Sequence, residues 1–293
     1  MQVPSNFKGV FYAILSSATF GLIPLLALPV VEAGIEKPSV LFYRFALSAM
    51  VMGCLGLFKR RNFKVAKSHI PFLALFGFFY AATALLLMDA YLLIPSGIAT
   101  TIHFLYPVMV ALIMILFFKE KSSKPLFIAI LLSLIGVAVL SWNSEGFLNI
   151  GGILIAVGSI FTYAFYIIGM HKSCVRIIDE YILTFYVLLF SALFFLVNVI
   201  FTTGFQPIPD FKSGISICLL AFFPTVVSDL ALILAIKHIG STTTSILGSM
   251  EPLTAVTVGV LVFNEPFGVR TVTGVICILI AVATIIMTQR ESS

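Results

Sequence analysis

Long apolar runs follow one another along the whole chain, and the charges, prolines and glycines collect in the short segments between them. A helix needs roughly 20 mostly apolar residues to cross the hydrocarbon core of a bilayer. The pattern predicts ten such helices, at 9–31, 39–58, 70–93, 96–118, 125–142, 150–170, 180–202, 214–236, 241–263 and 268–288. The tightest break is the turn Ile94-Pro95-Ser96-Gly97. The first run reads as a transmembrane helix and not as a cleaved leader. Within 241–263 the small and polar residues are periodic: Ser241, Thr244, Ser245, Gly248, Glu251, Ala255 and Gly259 recur every three or four positions. Such a stripe turns toward other helices or a cavity, while Leu, Val and Ile face lipid.

Composition agrees. The chain is 60% hydrophobic and 10% charged, with a mean hydropathy of +1.16. Soluble proteins carry roughly 25% charged residues, so a soluble helical protein is excluded: too few polar side chains exist to cover its surface. Cys54, Cys174, Cys218 and Cys277 are scattered, which fits neither a disulfide framework nor a metal site. The net charge of +5 matters through its distribution and is no sign of a nucleic-acid partner.

Cytoplasmic loops collect Lys and Arg. With the N-terminus inside, the inner segments hold Lys8; Lys59, Arg60, Arg61, Lys64 and Lys67; Lys119, Lys121 and Lys124; Lys172 and Arg176; Lys237; and Arg290. The outer segments hold Lys37, Lys212 and Arg270, and Arg44 falls inside a span. Thirteen against three predicts both termini in the cytoplasm. The run KRRNFKVAKSH (59–69) reads as a topology anchor, with lipid binding as the alternative.

The chain also repeats itself. An offset of 145 residues aligns YPVMVALIMILFFKE (106–120) with EPLTAVTVGVLVFNE (251–265) without a gap, placing Pro107 on Pro252, Leu116 on Leu261, Phe118 on Phe263 and Glu120 on Glu265. Ser96 then falls on Ser241, and LIGVAVL (134–140) on LIAVATI (279–285). Each half, 1–145 and 146–293, holds five spans. Five is odd, so the second half enters the membrane in the opposite sense. Inverted repeats of this kind are a recurrent transporter design, with the substrate site near the midplane.

These features resemble the drug/metabolite transporter superfamily, in particular its EamA-type ten-helix exporters. The resemblance rests on the ten spans, the five-plus-five repeat, the [YE]P that opens a helix ending in [KN]E in each half, and FYRFALSA (42–49) with its arginine. It covers essentially the whole chain. It implies an all-α integral membrane fold: ten transmembrane helices as two inverted five-helix repeats around a central cavity, working by alternating access. Members export amino acids, nucleosides, other metabolites and drugs. The first-half motif reads KEK, without the glycine or leucine often found before that Glu.

An ionised side chain at mid-bilayer costs roughly 2.5–3.5 kcal/mol on insertion scales and so needs a partner, a wet cavity or a function. Inside the predicted spans stand Arg44, Asp89, His103, Asp229 and Glu251. Arg44 and Asp89 lie about a turn from the outer ends of their helices and are expected to form a gating or structural ion pair, with substrate contact as the alternative for Arg44. Glu251 lies ten residues into its predicted helix and is followed by Pro252, which cannot donate a backbone N–H. Glu251 is the best candidate for binding a substrate ammonium or coupling protons; the alternative is a structural acid that locks helices together. In the first half Tyr106 stands where Glu251 does, and His103 where Gly248 does, so His103 and Tyr106 are expected at the same cavity. Asp229 reads as a proton carrier, an inner-gate residue or a structural acid. Tyr163 and Tyr166 share a face with Ser159 and Thr162, and Tyr80 is similar; such aromatics line cavities for organic substrates or simply pack. Pro24, Pro107, Pro224 and Pro252 are expected kinks. Trp142 is an expected interfacial anchor.

The reading that results is a secondary transporter exporting a small organic metabolite. Central carboxylates and aromatics with a single arginine favour an amino acid or a related zwitterion or cation. A sugar phosphate would call for a deep Lys/Arg cluster. Drugs, nucleosides or other metabolites are the alternative cargo, and a channel-like or structural subunit is the alternative class. The sequence holds no HExxH, no GxGD, no DxxD-type pair and no nucleotide-binding loop, so an enzyme is not expected, nor a metal or cofactor, and transport is passive or ion-coupled. The expected partners are the substrate, the lipid bilayer and protons, in a plasma (bacterial inner) membrane, as a monomer or homodimer.

Overall fold

The computed structural model describes residues 5–119, 149–202, 204–264 and 268–291, with 128, 131, 132, 135, 136, 139, 142, 143, 146 and 147 between them. Apart from a short antiparallel pairing of Trp142–Asn143 with Gly146–Phe147, the described elements are helical. We label them α1 (Ser5–Phe20), α2 (Ile23–Glu32), α3 (Lys37–Phe58), α4 (Ile70–Tyr91), α5 (Ser96–His103), α6 (Tyr106–Phe118), α7 (Ile150–Lys172), α8 (Glu180–Phe201), α9 (Phe211–Ala221), α10 (Ser228–Ile246), α11 (Met250–Phe263) and α12 (Val269–Glu291).

Among the described residues, 8 stretches are long and apolar enough to cross a membrane: Phe7–Glu32, Lys37–Phe58, Lys67–Tyr91, Ser96–Phe118, Ile150–Lys172, Glu180–Phe201, Phe211–Ser241 and Thr243–Phe263. They fall on eight of the ten predicted spans. The tenth prediction coincides with α12. The predicted span 125–142 lies largely outside the described residues, as do Glu120, Glu265 and the side chain of Trp142.

Several spans are not single helices. The first breaks at Gly21-Leu22 between α1 and α2, and the fourth breaks at Phe104-Leu105 between α5 and α6. Between α10 and α11 a 3-10 turn, Leu247–Ser249, interrupts the chain, and Gly240 within α10 takes φ 80°, ψ 168°. This corrects the expectation of kinks. Pro24, Pro107 and Pro252 lie in the first turn of a restarted helix, where the missing N–H has no partner to lose and the fixed φ suits the helix. Pro224 lies in a π-helical turn, Phe222–Val227, that joins α9 to α10. Its ring excludes an ordinary α-turn, and the wider turn absorbs it.

The packing follows the repeat. Under the 145-residue offset α1 corresponds to α7, α3 to α8, and α4 to the α9–α10 span. The tight contacts pair α3 with α8 and α5 with α11, and pair α1 with α10 as α7 pairs with α4. Hydroxyls follow the same rule. Thr83 Oγ1 meets Thr162 Oγ1 at 2.7 Å, and Ser228 Oγ, 145 residues after Thr83, meets Ser16 Oγ at 3.3 Å. Small and aromatic residues fill the interior, while Phe58, Leu116, Phe117 and Phe201 point outward, as lipid-facing positions should.

Ion pairs tie both ends of the bundle. At the end where α3 finishes, Arg61 meets Asp179 at 3.2 Å and Lys237 meets Glu180 at 3.3 Å. At the end where α3 begins, Lys37 pairs with Asp89, and the Glu36 amide donates to Gln206 Oε1 at 2.6 Å.

Candidate functional site

The three breaks meet at one place. A Cβ on Gly21 would lie 2.6 Å from the Glu251 carbonyl oxygen, and one on Gly248 would lie 2.4 Å from the Tyr106 hydroxyl. At Gly21 the facing atom is backbone, so a larger residue would push the helices apart; at Gly248 it would displace the Tyr106 ring. Non-helical backbone at membrane depth is tolerated where it is buried in protein, and here α1, α5–α6 and α11 bury one another's interruptions. The starts of α6 and α11 bring the positive end of the helix dipole to the same place.

Glu251, the second residue of α11, stands in that field. This corrects the sequence reading, which placed it mid-helix: the 3-10 turn before Met250 makes it the opening of a new helix. Its Oε1 lies 3.9 Å from His103 Nε2 at the end of α5, and both side chains are buried. His103 Nδ1 is 2.7 Å from Ser159 Oγ, whose hydroxyl donates to the Ala156 carbonyl at 2.6 Å. Ser159 therefore accepts from Nδ1–H, which leaves Nε2 facing Glu251, with a lone pair when the ring is neutral and a proton when it is charged. Among the described residues neither Nε2 nor Glu251 Oε1 has a hydrogen-bond partner.

A second cluster lies along a row of rings. Tyr163 sits 5.1 Å from His103 and 4.7 Å from Tyr106, and Phe20 stacks beside both Tyr163 and His103. The row continues from Tyr163 to Tyr166 at 6.0 Å and from Tyr166 to Tyr80 at 5.0 Å, stacked at 18°. At its far end the Tyr166 hydroxyl donates to Asp229 Oδ1 at 2.6 Å. Asp229 opens α10 just after the π-turn. From the same turn Thr225 Oγ1 accepts from Arg44 Nε at 2.7 Å. Arg44 lies beside Tyr80, and its guanidinium carbon sits 5.1 Å from the Phe45 ring centroid. Arg44 and the Tyr80 hydroxyl lie close enough to interact, yet among the described residues Arg44 Nη2, the Tyr80 hydroxyl and Asp229 Oδ2 have no partner in hydrogen-bond geometry.

The structure thus brings Glu251, His103, Tyr106, Tyr163, Tyr166, Tyr80 and Asp229 into one connected group, and adds Arg44 to it. Each is at most 3% exposed, so the expected central cavity is closed around these side chains in this conformation. The predicted stripe from Ser241 to Gly259 is buried throughout. The expected Arg44–Asp89 pair does not form. Arg44 lies seven residues beyond Lys37, about 10 Å deeper along α3, and turns inward to the π-turn, whereas Asp89 stays near the end of α4 and pairs with Lys37. Sequence reasoning missed Phe20 and Gly21. The signal was present as Phe20-Gly21-Leu22-Ile23-Pro24, a glycine three residues before a proline within an apolar run.

The described residues include no cluster of three or more His, Cys, Asp or Glu that fits a metal ion. What the arrangement offers is recognition: an acid and a base at one end of an aromatic row, and a cation, a phenol and a second acid at the other, all with unused hydrogen-bonding capacity.

Curated proteins give no match. A solved crystal structure of a protein superposes with a TM-score of 0.72, covering 99% of this chain and 100% of its own at 17% identity; that likeness shows the fold. The sequence model of the EamA-like transporter family matches twice, over residues 7–142 and 150–287. With its apolar spans and one copy of the family pattern on each half, this chain belongs to the EamA-like transporter family, multi-pass small-molecule membrane transporters of the drug/metabolite transporter superfamily.

Proposed function

We propose that the chain is a secondary transporter that exports a small organic zwitterion or cation, an amino acid being the simplest case, by alternating access. The observation that carries this is the set of buried atoms without protein partners at the two ends of the tyrosine row. Buried polar groups are normally satisfied, and leaving them unpaired is expensive. A substrate ammonium at Glu251 would satisfy one end and a carboxylate at Arg44 and Tyr80 the other; an α-amino acid, whose charged groups share one carbon, engages one end at a time, and a longer zwitterion lying along the rings engages both. The His103–Glu251 pair suits proton coupling, because a proton can reside on either partner as the substrate arrives or leaves. Asp229 is the second candidate carrier.

In this reading the chain has ten spans in two inverted repeats, 1–145 and 146–293, and both termini lie in the cytoplasm of a plasma-membrane protein. The distribution of Lys and Arg supports the orientation, and the equivalent helix pairings support a two-fold relation. The described conformation is occluded, tied by ion pairs at both ends. Pairs this exposed contribute about 0–1 kcal/mol each, so one end can open while the other holds.

Counterflow in proteoliposomes tests the proposal, using labelled amino acids, nucleosides and polyamines with and without a pH gradient. Exchange of amino acids that responds to the gradient is the expected result. Exchange confined to nucleosides or polyamines, or none at all from folded protein, overturns the amino-acid assignment. Flux without exchange would make the protein a channel.

A further inference from the structure

Away from the central cluster, a groove of about 590 Å³ runs down the outside of α3 and α8. Small residues, Ala46, Ala49, Gly53 and Ala192, form its floor, and no charged side chain lines it. It extends from Phe42 to Leu57, about 22 Å along the helix, which exceeds the depth of one leaflet, roughly half of a 30 Å core.

The groove ends under the basic loop that follows α3, and this loop is fastened in two places. The Phe63 ring packs edge-on against Phe185 at 5.1 Å, and the Tyr186 hydroxyl donates to the Phe63 carbonyl at 2.8 Å. Gly56 admits that ring: a Cβ there would lie 2.6 Å from it. Arg61 pairs with Asp179 and sits 5.3 Å from the Tyr181 ring centroid. Between the helix and these fastenings Arg60 takes a left-handed φ of 53°, which folds the chain back toward the groove. Lys59, Arg60 and Lys64 are left exposed at the groove's mouth, and among the described residues none of their charged groups meets an acid within 4.0 Å or a hydrogen-bond acceptor.

We propose that α3, α8 and the loop 59–64 form a binding site for an anionic phospholipid, with an acyl chain in the groove and the phosphate against Lys59, Arg60 and Lys64. A neutral lipid would fill the groove without engaging the three exposed cations that the fastened loop holds beside it. A second copy of the chain, related by an axis along the membrane normal, would set one cationic loop against another. The positive-inside orientation places this lipid in the cytoplasmic leaflet, where anionic lipids attract basic segments beside the membrane. The site is independent of the substrate assignment.

The test uses the full chain in bilayers, with phosphatidylglycerol carrying a photoactivatable acyl chain as the probe and phosphatidylcholine carrying the same chain as the control. Phosphatidylglycerol should label peptides containing Met50, Cys54 or Leu193 at least about tenfold more than phosphatidylcholine. The triple variant Lys59→Gln/Arg60→Gln/Lys64→Gln should lose that preference while its labelling by phosphatidylcholine is unchanged. Equal labelling of the unmodified protein by both lipids, or a preference that survives the triple variant, overturns the site. An arm that needs no variant follows Cys54, which lines the groove: its alkylation by a membrane-permeant maleimide should be several-fold slower in phosphatidylglycerol vesicles. Equal rates would count against the proposal. Cross-linking of Cys54 to Cys54 between two copies, with no lipid label in the groove, would make the occupant a second copy and also overturn it.

Discussion

The two buried acids invite comparison. Asp229 and Glu251 both open a helix just after an irregular turn, and both side chains are buried. Asp229 is held: Tyr166 donates to it at 2.6 Å, and its neighbour Arg44 is itself pinned through Nε to Thr225. Glu251 is loose at Oε1, with His103 Nε2 3.9 Å away, beyond hydrogen-bonding distance. The difference teaches that burial alone does not make an acid structural. What differs is that a tyrosine hydroxyl fixes one oxygen of Asp229, leaving Oδ2 as open as Glu251 Oε1, whereas the base facing Glu251 stands out of hydrogen-bond reach. Asp229 with Arg44 is arranged as an anchor, and Glu251 with His103 as a pair waiting for a proton or a ligand.

Substitutions that break this contrast should rank clearly by stability. Arg44→Ala removes the donor to Thr225 and empties the space of a fully buried side chain, and should lower the unfolding free energy by about 2–5 kcal/mol. Thermal unfolding in detergent checks this. A drop no larger than a surface pair gives would remove the anchor from the argument. Tyr166→Phe should come next, at about 1–3 kcal/mol, because it leaves Asp229 Oδ1 without its donor and turns the held acid into a loose one; the same unfolding assay reads it. Glu251→Gln should change stability by less than about 1 kcal/mol, since Oε1 has no bond to lose, yet abolish exchange or its response to a pH gradient in the counterflow assay. Normal exchange combined with a lowered melting temperature would reverse the two roles. Asp89→Ala should have the smallest effect, within about 0–1 kcal/mol in the unfolding assay, as its pair with Lys37 is partly exposed.

The spans were legible because the bilayer imposes a length that a run of apolar residues must meet, and the described helices fall where those runs lie. The buried stripe from Ser241 to Gly259 was legible for a similar reason: periodicity reports a face. The breaks were not. A proline in an apolar run is compatible with a kink or with a restart, and only the backbone around Leu247–Ser249 and Phe104-Leu105 distinguishes them. Arg44's surroundings were hidden for a different reason. Sequence gives depth along a helix but not which neighbour supplies the facing turn, and the π-turn that presents Thr225 leaves no signal beyond Pro224 itself. His103 and Glu251 came out together because the repeat superposes their helices. Gly21 was overlooked because its counterpart under the offset is Tyr166 in an unbroken helix, so the repeat gave no hint of a break in the first span.

The meeting of three interrupted helices also has a mechanical side. A continuous helix is a stiff rod that carries a push from one membrane surface to the other. Where α1, the α5–α6 span and α11 are cut at a common level, the rods end and the molecule acquires a seam parallel to the membrane plane. The unbroken α3, α4, α7 and α8 still carry a push across that level, and at Gly21, where α1 bears directly on the α11 backbone, a tilt of one cut segment is handed on to the other.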